Sequence, residues 1–174
     1  MESFSITRNE LKRKSGFESV YNHYFDSAMR IAKAILKDES LAADAVQETF
    51  LRVYRNSNTY DEERSFSAWF NTILINECKR VLEKRKHITY LTEYEDKDAT
   101  SWNEEWEVKY TVENILEELE DKIKIPIVLK YIQGLKVEEI AQSMDLNPNT
   151  VKSRLAFGRN KLREFYTKFY KEVQ

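Results

Sequence analysis

The most constraining feature of this sequence is the scarcity of residues that interrupt helices. Only 3 of its 174 residues are glycine and 2 are proline. Turns and sheet edges normally use many of these residues, so their scarcity favours helices joined by short polar connections. Apolar residues also recur at helical spacing, over residues 17–36, 42–53, 66–82 and 112–132. The sequence therefore predicts an all-α protein.

Charge divides the chain into three segments. Residues 1–86 carry 15 Lys and Arg against 13 Asp and Glu, net +2. Residues 87–121 carry 2 Lys and Arg against 12 Asp and Glu, net −10. Residues 122–174 carry 11 Lys and Arg against 5 Asp and Glu, net +6. Helical periodicity is absent from about residue 87 to 106. We therefore expect two small helical domains, 1–86 and 112–174, joined by an acidic flexible linker at 87–111, although mere solvation would also explain part of the acidic block.

The sequence offers little for catalysis or metal binding. A single cysteine, Cys78, excludes an internal disulfide framework, and no Cys/His cluster has metal-ligand spacing. His23 and His87 are the histidines that could assist Cys78, but no orienting or oxyanion motif accompanies them. We expect no catalytic residues, no metal and no cofactor. Without an apolar leader or a run long enough to span a bilayer, the sequence also predicts a cytoplasmic protein that is not membrane-embedded.

A helix-turn-helix is indicated near the carboxyl end. Ala141 supplies a small residue where two helices cross, Asp145 can adopt positive φ in the turn, and Val151 follows as a β-branched wedge. Asn147 can cap the second helix and Pro148 can occupy its first turn. The outward positions of that helix are candidates for base contacts (Asn149, Lys152, Ser153 and Ala156) and for phosphate contacts (Arg154 and Arg159). The alternative is a surface helix whose cations are simply solvated.

A second candidate surface lies on the predicted helix at 42–53. Its outward stripe combines polar and charged residues with one leucine; the stripe consists of Asp44, Gln47, Glu48, Leu51 and Arg55. An apolar side chain among charges is typical of a protein–protein hot spot. A lone exposed leucine is also common on protein surfaces, and the pattern alone does not separate these readings.

The third helix places aromatic, amide and cationic residues close together. Tyr60 and Asn76 lie off its predicted apolar face, and Lys79 and Arg80 follow Asn76. Proteins that hold single-stranded DNA combine pockets for unstacked bases, an amide that reads a base edge, and cations on the backbone. Core packing is the better interpretation for Trp69, Phe70 and Ile73.

Three segments together resemble a known family. "DAVQETFLRVYR", "FSAWFNTILINECKRVLEKRK" and "LKYIQGLKVEEIAQSMDLNPNTVKSRLAFGRNKLR" occur in that order across the acidic linker. They are similar to a bacterial RNA polymerase sigma factor of the extracytoplasmic function (ECF) branch. The resemblance covers about residues 17–86, a region two helical bundle, and 112–165, a region four helix-turn-helix.

The resemblance implies specific partners. Region two would dock on the β′ clamp helices of core RNA polymerase through the stripe that contains Leu51, and region four would contact the β flap. Tyr60 and Asn76 would lie beside a flipped base of the minus-ten promoter element, and Lys79, Arg80, Lys84 and Arg85 would hold its backbone. Lys152, Ser153, Ala156 and Phe157 would read the minus-thirty-five element. Phe157 stands where some relatives have arginine, so we expect contact with a thymine methyl rather than a bidentate guanine contact.

The resemblance also implies regulation. The acidic linker would thread the polymerase cleft, since a strongly negative strand can mimic nucleic acid in a basic channel. A stress regulon and an anti-sigma factor that covers both DNA-binding modules are further expectations.

The alternative function is a stand-alone helix-turn-helix repressor or activator. That class would need a ligand pocket, a phosphoacceptor or a dimer seam in the amino-terminal half, and neither a glycine-rich phosphate loop nor a receiver pattern is visible there.

Overall fold

The computed structural model describes residues 4–92, 116 and 118–172, and within them the protein is helical with no strand. The helices are α1 (Arg8–Leu11), α2 (Lys14–Leu36), α3 (Glu39–Arg55), α4 (Phe66–Thr92), α5 (Asp121–Tyr131), α6 (Val137–Met144) and α7 (Pro148–Glu172). A 3-10 turn at Ser57–Thr59 lies between α3 and α4. The all-α prediction is confirmed.

Local capping interactions set several helix ends. The Thr7 hydroxyl accepts from the Glu10 backbone N–H, and the Glu10 carboxylate accepts from the Thr7 N–H at 2.8 Å, which forms a capping box for α1. Asp38 caps α3 by accepting from the Leu41 N–H at 2.9 Å. Lys37 ends α2 in the left-handed region, with φ 61°. The sequence therefore encodes the break between α2 and α3 within two consecutive residues.

Helices α1 to α4 form the amino-terminal module. Helix α4 packs against both α2 and α3, and its side chains Phe66, Phe70 and Leu74 are buried in the shared core. The Tyr24 ring of α2 stacks on Phe70 with centroids 4.5 Å apart. Aromatic packing therefore unites the three long helices into a bundle, as the region two resemblance predicts.

Helix α4 is longer than its apolar pattern predicts. The helix was expected to end near Lys86, but it continues to Thr92, into the segment that was assigned to the linker. No glycine or proline interrupts residues 66–92, and a helix does not need an apolar face to continue. The remaining linker, 93–111, and the helical pattern at 112–115 lie outside the described residues.

Helices α5, α6 and α7 form the carboxy-terminal module. Pro126 lies buried inside α5, in the second turn, where a proline is still tolerated near the helix start. Gly158 of α7 is buried where α7 approaches α5. A Cβ at this position would lie 2.8 Å from the Ile127 side chain of α5. The close contact between α5 and α7 therefore depends on a missing side chain.

The two modules pack against each other. Helix α6 lies against α4, and α5 lies against α2. The Ser143 hydroxyl of α6 donates to the Ala68 carbonyl oxygen of α4 at 3.3 Å. In this arrangement the first helix of the helix-turn-helix contacts the helix that is expected to hold minus-ten DNA.

Candidate nucleic-acid and polymerase interfaces

The predicted stripe on α3 is accessible in the structure. Asp44, Gln47 and Arg55 are exposed, and Glu48 is half-buried. Leu51 lies between them with 41 % of its surface exposed. The geometry therefore brings the five predicted residues together on one outward face.

An ion-pair network behind this stripe was missed by sequence reasoning. The Arg52 Nε lies 3.0 Å from Glu48 Oε1 and 2.7 Å from Glu77 Oε1. The Glu77 side chain is only 6 % exposed, and its other oxygen lies 3.2 Å from Arg80 Nη1. The i,i+4 spacing of Glu48 and Arg52 could have signalled the first pair, but only the tertiary fold brings Glu77 to Arg52. The network links the predicted stripe of α3 to α4.

Aromatic side chains extend the stripe at one edge. Tyr54 is 53 % exposed, and its ring packs edge-on against Phe17 with centroids 5.5 Å apart. Tyr21 of α2 is also exposed and stacks on Phe25 at 5.0 Å. Its exposure departs from the apolar pattern that the sequence shows over residues 17–36. Tyrosines of this kind are enriched at protein interfaces because one side packs while the hydroxyl remains hydrated.

Tyr60 does not lie where the sequence predicts. It is only 4 % exposed, and its ring packs against Phe66 at 5.1 Å and Trp69 at 5.2 Å. Its hydroxyl donates to the Arg64 carbonyl oxygen at 3.1 Å. Burial, and secondarily the charge of Glu62, raises the pKa of Tyr60 above its ordinary value. The prediction that Tyr60 lies outside the core is wrong, because the 3-10 turn directs the chain back over the start of α4.

Asn76 is exposed and lines a cleft on α4. Trp69 and Thr72 of the same helix line this cleft with Asn76. The cleft has a volume of about 770 Å³. Trp69 is half-buried rather than fully buried, so a ring that sequence reasoning assigned to the core reaches this cleft. The opposite wall is formed by the helix-turn-helix, including Gln142 and Leu146.

The predicted cations of α4 differ in their surroundings. Lys79 is half-buried and Lys84 is exposed. Arg80 donates to the Glu77 carboxylate, which also pairs with Arg52. Arg85 donates through Nη1 to the Leu36 carbonyl oxygen at 3.1 Å. Arg85 therefore also satisfies a carbonyl at the end of α2, a role that its sequence position does not indicate.

The helix-turn-helix has the local geometry that its spacing predicts. Asp145 adopts φ 52° and ψ 52°, and the Leu146 N–H donates to the Ala141 carbonyl oxygen at 2.9 Å. The Asn147 side chain accepts from the Asn149 N–H at 2.8 Å and so caps α7. Val151 is fully buried between the helices.

The outward face of α7 carries the predicted DNA-reading residues. Asn149, Lys152, Ser153, Phe157 and Arg159 are exposed, and Arg154 and Ala156 are half-buried. Phe157 is 52 % exposed, so its ring is accessible on this face. The seven predicted positions therefore lie together along one helix.

The residues considered for catalysis, Cys78 and His23, make different contacts in the structure. Cys78 is buried, and burial followed by the charge of Glu77 raises its pKa to about 12. The His23 ring stacks on Phe4 with centroids 4.5 Å apart. Among residues 4–92, 116 and 118–172, no group of His, Cys, Asp or Glu could hold a metal ion. Within the same part of the chain, no helix is long and apolar enough to cross a membrane.

Comparison with known proteins decides the family. The profile of Sigma-70 region 2 matches residues 20–88, and the profile of Sigma-70 region 4 matches residues 110–162. The ECF RNA polymerase sigma factor SigW of Bacillus subtilis (strain 168) is 30 % identical over 166 residues, which cover 87 % of this chain and 89 % of that protein. The chain belongs to the ECF RNA polymerase sigma factors. The ECF RNA polymerase sigma factor SigE of Mycolicibacterium smegmatis is 29 % identical over 178 residues, 98 % of this sigma factor and 68 % of that protein.

Solved structures support the helical two-module fold of this sigma factor. The sigma factor RpoE in complex with the anti-sigma factor NepR from Bartonella quintana matches with a TM-score of 0.71 at 20 % identity, over 87 % of this chain and 96 % of that one. CnrH in complex with the cytosolic domain of CnrY matches with a TM-score of 0.72 at 20 % identity, over 92 % and 97 %. At this identity the likeness concerns the fold alone.

Proposed function

We propose that this ECF sigma factor divides promoter initiation among three surfaces. The α3 stripe docks on the β′ clamp helices of core RNA polymerase, α4 holds the non-template strand of the minus-ten element, and α7 reads the minus-thirty-five element as duplex. The factor performs no chemical step of its own. The observation that carries this assignment is Leu51, an exposed leucine within a charged stripe that an ion-pair network links to α4.

The polymerase-binding surface can be tested with a single charge. Leu51→Asp introduces a carboxylate at an exposed position of α3, in the centre of the proposed contact. Truncation of a hot spot costs about 2 kcal/mol or more, which corresponds to roughly 30-fold weaker binding. We would mix the purified protein with bacterial core RNA polymerase and score promoter-directed initiation on a genomic DNA library. Discrete start sites that are lost with Leu51→Asp are expected.

Ala43→Asp provides the matched control. Ala43 is exposed on the same helix but outside the stripe, so the same new charge should leave initiation at the wild-type level. Equal initiation by wild type and Leu51→Asp would contradict the assignment of α3. Specific DNA binding by the protein alone, without capture of polymerase, would instead favour the stand-alone repressor or activator.

The minus-ten surface consists of the exposed Asn76 with the cations of α4, namely Lys79, Arg80, Lys84 and Arg85. Because Tyr60 is buried, we assign its expected role, an aromatic ring beside the flipped base and the Asn76 amide, to Trp69. Trp69 lines the same cleft as Asn76. Trp69→Leu should reduce strand opening, measured by permanganate reactivity of promoter thymines, while capture of polymerase stays unchanged. Tyr60→Phe, which keeps the buried ring, should leave opening near wild type, and a larger loss for Tyr60→Phe than for Trp69→Leu would reverse this assignment.

A second polymerase contact is supported by an apolar groove on the carboxy-terminal module. Its volume is about 450 Å³, and its lining includes the exposed side chains Tyr131 and Ile132, with Arg159 at its edge. We assign this groove to the β flap. Ile132→Asp should weaken initiation at promoters that depend on the minus-thirty-five element, and unchanged initiation there would exclude the assignment.

Three further elements of the proposal concern regulation and location. The acidic linker threads the polymerase cleft, so deleting residues 93–107 should lower initiation, and full activity of the deletion variant would count against it. An anti-sigma factor covers the face from Tyr60 to Lys86 together with α7 in the cytoplasm; one structural neighbour described above is a sigma factor in complex with an anti-sigma factor. The regulon responds to stress, and genes downstream of the mapped start sites test this directly.

A further inference from the structure

An uncharged stripe runs along the centre of the outward face of α7. Positions 149, 153, 156 and 160 repeat at the spacing of three and four residues that places side chains on one face of a helix. Val151 and Leu155 are buried on the opposite face. Together with the neighbouring Phe157, the outward positions form the reading stripe, which consists of Asn149, Ser153, Ala156, Phe157 and Asn160.

Cations border the reading stripe along both edges. One edge carries Lys152, Arg159 and Arg163, and the other carries Arg154 and Lys161. The stripe is about 16 Å long at about 1.5 Å per residue, which equals the rise of about five base pairs. In protein–DNA complexes cations contact the phosphates, while base edges are read in the groove between the two backbones. The charge pattern of α7 therefore leaves base reading to uncharged side chains.

The three central side chains of the reading stripe offer no hydrogen-bond donor to a base. The Ser153 hydroxyl donates within the helix, to the Asn149 carbonyl oxygen at 3.0 Å. Ala156 and Phe157 have no polar side-chain atom. Guanine presents only acceptors, N7 and O6, in the major groove. Opposite these side chains its acceptors would lose water without gaining a partner, so guanine is disfavoured there.

The ring of Phe157 supplies an apolar surface at the same place. It is 52 % exposed, and the Lys161 Nζ lies 6.0 Å from its centroid. The same Nζ lies 2.9 Å from Glu164 Oε2, so the ammonium group beside the ring has a second contact on α7. Attraction between a cation and an aromatic face favours this position of the ring. The thymine 5-methyl is the apolar group that a base presents in the major groove.

We propose that Phe157 is a specificity-determining residue, which selects an A·T pair in the minus-thirty-five element by packing on the thymine 5-methyl. The inference rests on the proposed function of α7 and names the base that this helix reads. The Ser153 oxygen beside the ring remains an acceptor, which suits the adenine N6 amino group. Loss of one methyl from the contact should weaken promoter binding about fourfold.

Uracil in place of thymine tests the contact, because the two bases differ only in the 5-methyl group. The full chain would be assembled with core polymerase and bound to the promoter mapped in the initiation experiment. Each thymine of the minus-thirty-five element would be replaced in turn by deoxyuridine, and affinity would be measured by competition against the unmodified promoter. We expect about fourfold weaker binding for at least one replacement. Deoxyuridine between the two promoter elements is the control and should leave binding unchanged.

Two substitutions assign the methyl effect to the ring. Phe157→Ala should bind the unmodified promoter more weakly than the wild type and should no longer distinguish thymine from deoxyuridine. Phe157→Arg should prefer a G·C pair over the A·T pair at the sensitive position, because arginine forms a bidentate contact with guanine. Replacing that A·T pair by a pair of 5-methylcytosine with guanine should bind the wild type about fourfold better than the unmethylated C·G pair.

The proposal would be overturned by any of three results. The first is a mapped minus-thirty-five element without an A·T pair, and the second is wild-type binding that no deoxyuridine replacement weakens. The third is an equal deoxyuridine effect in the wild type and in Phe157→Ala; if circular dichroism shows that Phe157→Ala is not native, Phe157→Arg decides. Failure of the wild type to initiate at any promoter with core polymerase would instead refute the proposed function.

Discussion

Gly16→Ala should destabilise this protein strongly, against the usual effect of that substitution in a helix. Gly16 lies in the first turn of α2, where replacing glycine by alanine normally stabilises a helix by about 1 kcal/mol. Here an added Cβ would lie 2.0 Å from the Glu10 carbonyl oxygen and 2.6 Å from its carbonyl carbon. Both atoms belong to the backbone, so α1 must move away from α2.

The magnitude follows from what α1 and the preceding segment bury. Ile6 is 7 % exposed and Leu11 is fully buried, and each such side chain contributes about 1.5–3 kcal/mol by burial. Detachment of both would cost about 3–6 kcal/mol, and the gain in helix propensity of about 1 kcal/mol leaves a net loss of about 2–5 kcal/mol.

Urea denaturation followed by far-ultraviolet circular dichroism measures this loss. Ser15→Ala is the matched control, because Ser15 is the exposed neighbour of Gly16 in the same turn. We expect the control to change the free energy of unfolding by less than about 0.5 kcal/mol. If Gly16→Ala is as stable as the control or more stable, α1 does not pack on α2 as described.

Three other predictions concern the turn of the helix-turn-helix and the buried thiol. Asp145→Gly should raise the free energy of unfolding by about 0.5–1 kcal/mol, because φ 52° strains an L-residue and not glycine; a lower melting temperature would contradict this. Alkylation of Cys78 by iodoacetamide should be at least about 100-fold slower in the folded protein than in urea, since its pKa is raised to about 12, and equal rates would show that the thiol is accessible. The Cys78 thiol ionises at a lower pH in the unfolded chain than in the folded protein, so the free energy of unfolding should fall as pH rises from about 8.5 towards 12. A Cys78→Ala variant should lose that part of the pH dependence.

Local signals in the sequence determined the helices and the helix-turn-helix. The spacing from Ala141 to Val151 predicts the turn at Asp145, and the structure shows the left-handed backbone there. The exposed position of Leu51 follows from helical periodicity alone. These features depend on residues within one or two helical turns of each other, so the sequence order already contains the relevant geometry.

Only the tertiary structure decided the features that join distant segments. Tyr60 was predicted to lie outside the core, but Phe66 and Trp69 cover it once the 3-10 turn reverses the chain. Glu77 becomes the shared partner of Arg52 and Arg80 because α3 and α4 pack together. A periodic pattern shows which face of a helix is apolar, but not which other element will cover it.

The contact between the two modules is the clearest example of this limit. Ser143 and Ala68 are 75 positions apart, and neither residue type signals an interface. Sequence periodicity assigns each to a helix, while their burial arises from the position that α6 takes on α4. The sequence by itself therefore determined the two modules and their outward surfaces, and the packing of one module on the other determined which of those surfaces is covered in the free protein.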